Sequence, residues 1–255
     1  MIPSTELLLL LFIIAATAGW VDTLAGGGGL ITVPALLLTG MPPGMAIATN
    51  KLQGSMGTLV ASIYFVRTKF VRLNQMKGMI VLTFIGSVLG SWLLLQIDAS
   101  KLVQFLPFLL MAMGLYVLLS PSFNDEQKQQ KISRLCFMFL VCPILGFYDG
   151  FFGPGTGSLM ALAFVSVLGY GLSKGTAQAK ILNLTSNVAA LLYFIIFGEV
   201  AWLVGGVMAA GQLLGSSIGA RMVMGKGAKL IKPVVVMVCF GMSINILLRH
   251  HPLAF

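Results

Sequence analysis

Charge is scarce in this sequence. Asp, Glu, Lys and Arg together make up 9% of its 255 residues, and only seven are acidic. A water-soluble domain carries roughly a quarter charged residues, so a soluble enzyme, a nucleic-acid binder and a disordered chain all fit poorly, although a formal net charge of +9 would by itself suit the second. Cysteine is almost absent. Cys136, Cys142 and Cys239 all sit in apolar tracts with no Cys-x-x-Cys spacing and no neighbouring His, which argues for packing over a disulfide or a metal site. The only histidines, His250 and His251, are adjacent and near the end of the chain. No Walker-type phosphate loop is present, which argues against an ATP-driven machine. What remains is apolar: 58% hydrophobic residues, 30 glycines and a mean hydropathy of +0.97. The natural unit for such a chain is the membrane span of about 20 residues.

The charges gather in short stretches, Arg67 to Lys77, Asp98 to Lys101, Asp125 to Arg134 and Arg221 to Lys232, with long apolar tracts between them. The first tract, Leu7 to Gly19, has Glu6 and no Lys or Arg before it, so it reads as a retained membrane helix and not as a signal peptide.

The chain also resembles itself. Gly19-Trp20-Val21-Asp22 followed by Gly26 to Gly29 has a counterpart 127 positions on, in Gly146-Phe147-Tyr148-Asp149 followed by Gly153-Pro154-Gly155-Thr156-Gly157. Further along, a shift of 129 brings Lys51 onto Lys180, Tyr64-Phe65 onto Tyr193-Phe194, Gly86 onto Gly215 and Gly90 onto Gly219. Two membrane repeats follow, residues 1–120 and 132–255, joined by a cytoplasmic linker over 121–131. Apolar tracts run over about 7–22, 30–40, 46–66, 78–96 and 102–120 in the first, and 135–152, 159–171, 181–198, 201–220 and 231–248 in the second.

The second tract of each repeat is short. An 11-residue helix reaches only ~17 Å against a hydrocarbon core of ~30 Å, so it is either re-entrant or extended through the preceding glycine turn. Basic loops discriminate between these options by lying on the cytoplasmic side. With re-entrant segments, the loop holding Arg221, Lys226, Lys229 and Lys232 falls outside. With ten crossings, this loop and those holding Arg67, Lys69, Arg72 and Lys77 and Lys128, Lys131 and Arg134 all face the cytoplasm, and both termini face outward. The expected fold is therefore an all-α polytopic bundle of two inverted five-span repeats. Most of the positive charge becomes an orientation signal.

Inverted repeats with a short, glycine-interrupted segment at matching places suggest a secondary transporter with its site at the repeat interface. Gly26, Gly27, Gly28 and Gly29, and Gly153, Gly155, Thr156 and Gly157, place flexible backbone ahead of helix starts expected at Leu30 and Ser158. Free N–H groups and the positive dipole end favour an anion there. Asp22 and Asp149 precede the two turns, as helix-break caps or as proton-accepting coupling groups. Lys51 and Lys180 begin the next tract of each repeat, either snorkelling from helix ends or supplying charge to the substrate, beside Asn50, Asn183 and Asn187. Gly215-Ser216-Ser217-Ile218-Gly219 fits a nucleophile pattern, but it lies in an apolar tract without a partner His and reads as helix packing through small residues, Gly211 included.

The segment Gly19 to Lys51, with its core Val-Asp-Thr-Leu-Ala-Gly-Gly-Gly-Gly-Leu-Ile-Thr-Val-Pro-Ala-Leu and its close Ala48-Thr49-Asn50-Lys51, resembles the first-repeat signature of the TauE/SafE family of sulfite exporters and anion permeases. Gly146 to Gly157 and Gly175 to Lys180, running on to Asn183 and Asn187, resemble its second repeat. The resemblance implies an inner-membrane transporter of sulfite, an organosulfonate or a related organic anion, with no cofactor and no nucleic-acid partner. The Pro154-containing turn departs from the four-glycine version, which puts a strictly symmetric site in doubt. An anion channel and a membrane scaffold without transport are the competing readings; an intramembrane enzyme lacks a paired acid and base, a metal cluster and a credible nucleophile.

Overall fold

The computed structural model describes residues 3–98 and 129–222, with isolated positions between 101 and 119. The tract expected over 231–248, most of that over 102–120, most of the linker, Cys239, and the loop lysines Lys226, Lys229 and Lys232 lie outside the described residues. Among the described residues there is no strand. Eight longer helices have their bounds among the described residues: α1 Thr5–Ala25, α2 Gly29–Leu38, α3 Pro43–Arg67, α4 Lys77–Gln96, α5 Arg134–Phe151, α6 Thr156–Ser166, α7 Leu172–Phe197 and α8 Trp202–Met222. Helices α1, α4, α5, α7 and α8 are long and apolar enough to cross a membrane. The chain is thus a multi-pass helical membrane protein.

Local chemistry sets the helix ends. Ser4 caps α1 by accepting from Leu7 N–H at 3.3 Å, and Ser133 caps α5 by accepting from Cys136 N–H at 3.1 Å. Pro43 occupies the first turn of α3, where a missing N–H costs nothing. In α5 a π-helical turn spans Phe137–Val141, with Cys142 N–H reaching back five residues to Phe137 O. Pro143 follows Cys142, and the wider turn accommodates the loss of the N–H that proline lacks.

Helix lengths repeat in order: 21, 10, 25 and 20 residues for α1 to α4, then 18, 11, 26 and 21 for α5 to α8. The packing is reciprocal as well. Helix α1 lies along α8, and α4 lies along α5, so that each half lends its first and fourth helices to the other. Glycines make these contacts close. Gly86 and Gly90 of α4 sit against the carbonyls of Pro143 and Phe147, and Gly215 and Gly219 of α8 sit against those of Ala16 and Trp20. The carbonyls are themselves related by the shift of 127 and the glycines by that of 129. Small residues let helix backbones touch where lipid offers no hydrophobic drive for association. Ser217 donates within α8 to Leu213 O at 2.7 Å, in keeping with a packing role for its motif.

A Cβ at Gly215 would overlap the Ala16 carbonyl, whereas one at the exposed Gly206 of the same helix meets nothing within 4 Å. Gly215→Val is therefore expected to lower the thermal midpoint of the detergent-purified protein by several degrees or prevent its recovery, as overpacking of about 1–3 kcal/mol or more predicts. Gly206→Val should leave the midpoint nearly unchanged. Equal midpoints for the two variants would refute the interlock.

Helices α3 and α7 run through the interior and carry the polar residues inward. Asn50, Lys51, Gln53, Ser55, Thr58 and Ser62 on α3, and Gln178, Lys180, Asn183, Ser186 and Asn187 on α7, are all buried. Large apolar side chains face outward, among them Leu9, Phe139, Ile144, Ile196 and Trp202. Polar residues inside and apolar ones outside is the arrangement a hydrocarbon solvent requires.

Candidate functional site

Both glycine turns break a helix, and the breaks meet. Helix α1 ends at Ala25, with Gly26 left-handed at φ +77°, and α2 begins at Gly29. Helix α5 ends at Phe151, with Gly153 at φ +94° and Gly155 at +81°, and α6 begins at Thr156. The starts thus fall one and two residues before the expected Leu30 and Ser158. Ser158 N–H donates to Gly26 O at 3.2 Å, backbone to backbone across the two halves. At 10 and 11 residues, α2 and α6 each extend only ~15–17 Å, about half the hydrocarbon thickness.

The lysines are not at helix starts, because α7 begins at Leu172 and not near 181. Each is the ninth residue of its helix, counted from Pro43 and from Leu172. Lys51 is 0% and Lys180 1% exposed, which excludes snorkelling. Each binds the aspartate of the opposite half: Lys51 Nζ lies 3.0 Å from Asp149 Oδ1, and Lys180 Nζ 2.8 Å from Asp22 Oδ2. Each ammonium also donates to the main-chain carbonyl of its aspartate. Those carbonyls lie in the last turn of a broken helix, at the negative end of its dipole, where a cation is favoured. The two pairs are therefore clamps between the halves, and their four charges cancel. Asp22 also acts as a break cap, with Oδ1 accepting from Gly28 N–H at 3.3 Å.

A polar cavity opens between the breaks. Of the residues expected at the site, Asp22, Gly26, Gly29, Asn50, Asp149, Gly153, Gly155, Gly157, Asn183 and Asn187 line it. Gly27, Gly28, Thr156, Lys51 and Lys180 do not; Gly27 and Thr156 hold the turns, through Leu30 N–H to Gly27 O at 3.0 Å and Thr156 Oγ1 to Gly153 O at 2.7 Å. Gln53, Gly54, Thr58 and Gln212 complete the lining and went unnoticed in the sequence. The shift of 129 could have revealed two of them, since it maps Asn183 onto Gly54 and Asn187 onto Thr58.

Five carboxamide side chains, Asn50, Gln53, Asn183, Asn187 and Gln212, line the walls between the glycines. Gln53 Nε2 donates to Gln212 Oε1 at 3.0 Å, Thr32 Oγ1 donates to Asn50 Oδ1 at 2.6 Å, and Asn187 Nδ2 donates to Asn183 O at 2.7 Å. Such groups offer both donors and acceptors without a fixed charge. The cavity measures about 20 Å³ as the space open to the centre of a water-sized sphere. A single water needs ~10–15 Å³ on that measure, so this conformation admits something very small. Among the described residues no three His, Cys, Asp or Glu stand close enough to hold a metal.

A sequence model of the sulfite exporter TauE/SafE family matches residues 11–246. The chain belongs to the TauE/SafE family. Individual relatives match over most of its length. It is 51% identical over 238 residues to a probable membrane transporter protein of Haemophilus influenzae, an alignment covering 93% of each chain. It is 48% identical over 248 residues to the probable membrane transporter protein YfcA of Escherichia coli K12, covering 97% of this chain and 92% of that one. A probable membrane transporter protein of a Sinorhizobium species is 44% identical over 249 residues, covering 97% and 95%. No solved structure matches the chain significantly.

Proposed function

We propose that this TauE/SafE protein is a secondary transporter of the cell inner membrane that moves a small anion by alternating access. Sulfite, an organosulfonate or a related organic acid anion is the favoured substrate class. The carrying observation is that two helix breaks, one from each half, converge on one buried polar cavity and are each clamped by a lysine from the other half. That is the arrangement expected where two halves rock about a fixed site at their interface. The matched helix lengths and reciprocal contacts support two repeats, and the placement of the basic loops favours an inverted pair of five spans each with both termini outside. The names of the relatives support transport.

In this reading the cavity carboxamides and the Thr58 hydroxyl replace the water around an oxyanion, and amides at the starts of α2 and α6 add their dipoles. Asp22 and Asp149 are the candidates for coupling to protons. The lysines act at one remove, holding the breaks. A thermal-shift screen against sulfite, sulfate, thiosulfate, sulfoacetate, taurine and simple carboxylates tests the substrate class. An anion present at ~100 times its dissociation constant should stabilise the protein by about 2.7 kcal/mol. Counterflow in proteoliposomes with the best binder then tests the transport cycle. Asn183→Ala and Asn187→Ala should each weaken that binding by about 1–3 kcal/mol, read as a rightward shift of the titration. Large unitary currents without saturation would point to a channel, and no stabilisation or exchange by any of these anions would sink the proposal.

A further inference from the structure

The two ion pairs match in sequence and differ in bonding. Asp22 has both carboxylate oxygens engaged, Oδ1 by Gly28 N–H at 3.3 Å and Oδ2 by Lys180 Nζ at 2.8 Å. Asp149 gives Oδ1 to Lys51 at 3.0 Å, but its Oδ2 is buried and has no hydrogen-bond partner among the described residues. The residue is 1% exposed and lines the cavity. The difference begins with the turns. The first folds the Gly28 amide back over Asp22; the second has Pro154 in the place of Gly27, and its amides go elsewhere, Gly153 N–H to Tyr148 O at 3.2 Å and Thr156 N–H to Gly153 O at 3.1 Å.

A buried anionic oxygen without a donor is costly, and a proton on that oxygen neutralises its charge. We infer that Asp149 Oδ2 is the proton-coupling site of the transporter, and that Asp22 is not one. The inference rests on the transport reading above. A proton from the water on the side to which the cavity opens forms the O–H bond on Oδ2, and returns to water on the other side. Lys51 remains bonded to the Asp149 main-chain oxygen and to Oδ1, now a carbonyl oxygen. The Lys51–Asp149 pair thus passes from neutral to a net charge of +1 beside the cavity, and an anion entering there restores neutrality. Proton and anion binding are thereby mutually favourable, each tightening the other.

The surroundings support the asymmetry. Among the described residues the charged groups around Asp149 are Lys51 from α3 and, across the cavity, Asp22 and Lys180 from α1 and α7. The α4 face packed on α5 presents Ser87, Ser91 and glycines, the sole charge of α4 is Lys77 at its start, and α6 carries none. Asp22 has a donor on each oxygen, Gly28 N–H and Lys180 Nζ, and serves as an anchor.

Infrared difference spectra between acidic and alkaline samples test the site without any substrate. A protonated-carboxyl band is expected in the wild type and in Asp22→Asn, and its loss in Asp149→Asn; the wild type and Asp149→Asn suffice should Asp22→Asn fail to fold. In parallel, binding of methanesulfonate, which stays a monoanion across the neutral range, should tighten on acidification by up to about tenfold per pH unit, the slope of one linked proton. In Asp149→Asn it should be flat with pH. Retention of the band in Asp149→Asn, or accumulation driven by a sodium gradient and indifferent to a proton gradient, overturns the inference and leaves anion transport standing. Failure of the wild type to bind or move methanesulfonate or sulfite overturns the transport reading, and the infrared result stands apart from it.

Discussion

Lys180→Met is expected to destabilise the protein by about 3–5 kcal/mol, the loss seen when one partner of a buried ion pair is removed. The substitution keeps the aliphatic volume and deletes the ammonium that binds Asp22 Oδ2 at 2.8 Å together with the Asp22 carbonyl. Asp22, with a side chain only 9% exposed, then keeps a charge answered by one backbone amide, that of Gly28. Two anchors between the halves fail together, the side-chain pair and the carbonyl clamp on the end of α1. The double variant Lys180→Met/Asp22→Leu should recover part of this loss, because no charge is left unpaired, but not all, because Gly28 N–H loses its cap. Thermal midpoints of the purified single and double variants measure the coupling. Losses that simply add would show that the two groups do not act as a pair.

Gly26→Ala is expected to be nearly as damaging and more specific for transport. Gly26 has φ +77°, where any side chain costs about 1–2 kcal/mol. A Cβ there would also overlap the backbone of Gly157 and Ser158, so the two breaks would have to separate. Gly40→Ala is the control, with φ +84° and nothing within 4 Å of the added carbon. It should show the conformational cost alone. The difference between the two variants isolates the contact between the breaks, and counterflow of sulfite in Gly26→Ala should fall by about 10²-fold, the effect of misplacing a site by an ångström. Similar stability and flux in the two variants would mean that break-to-break contact is dispensable.

Much of the site was legible because the chain repeats itself. Repeat matching picked out Asp22 with Asp149, Lys51 with Lys180, and both glycine turns, and seven of the residues so chosen line the cavity. It misjudged the lysines. Read along the chain, each stands near a change from polar to apolar composition and resembles a helix-end residue. In the fold each is deep within α3 or α7, because the polar residues before it, such as Thr49-Asn50 and Thr176 to Gln178, are helical and buried too. Polarity inside a membrane helix marks an inward face as readily as an end, and one-dimensional hydropathy does not separate the two. Gln53 and Gln212 were missed for a related reason. They hydrogen-bond each other at 3.0 Å, although 159 positions apart, and neither matches its repeat counterpart, Leu182 or Thr83.

By itself the sequence determined the solvent, the helical class, the family resemblance and the positions of the two breaks. These depend on sums of transfer free energies over neighbouring residues and on the backbone freedom of glycine, both local to the chain. Only the tertiary structure decided that Lys51 answers Asp149 and Lys180 answers Asp22, that the lysines clamp the breaks and do not line the cavity, and that of the two paired aspartates it is Asp149 that keeps an oxygen without a donor among the described residues. Pairing of buried charges is settled by which groups share the same few ångströms once the halves have packed, and that proximity is created by glycine-to-carbonyl contacts between helices far apart in the chain.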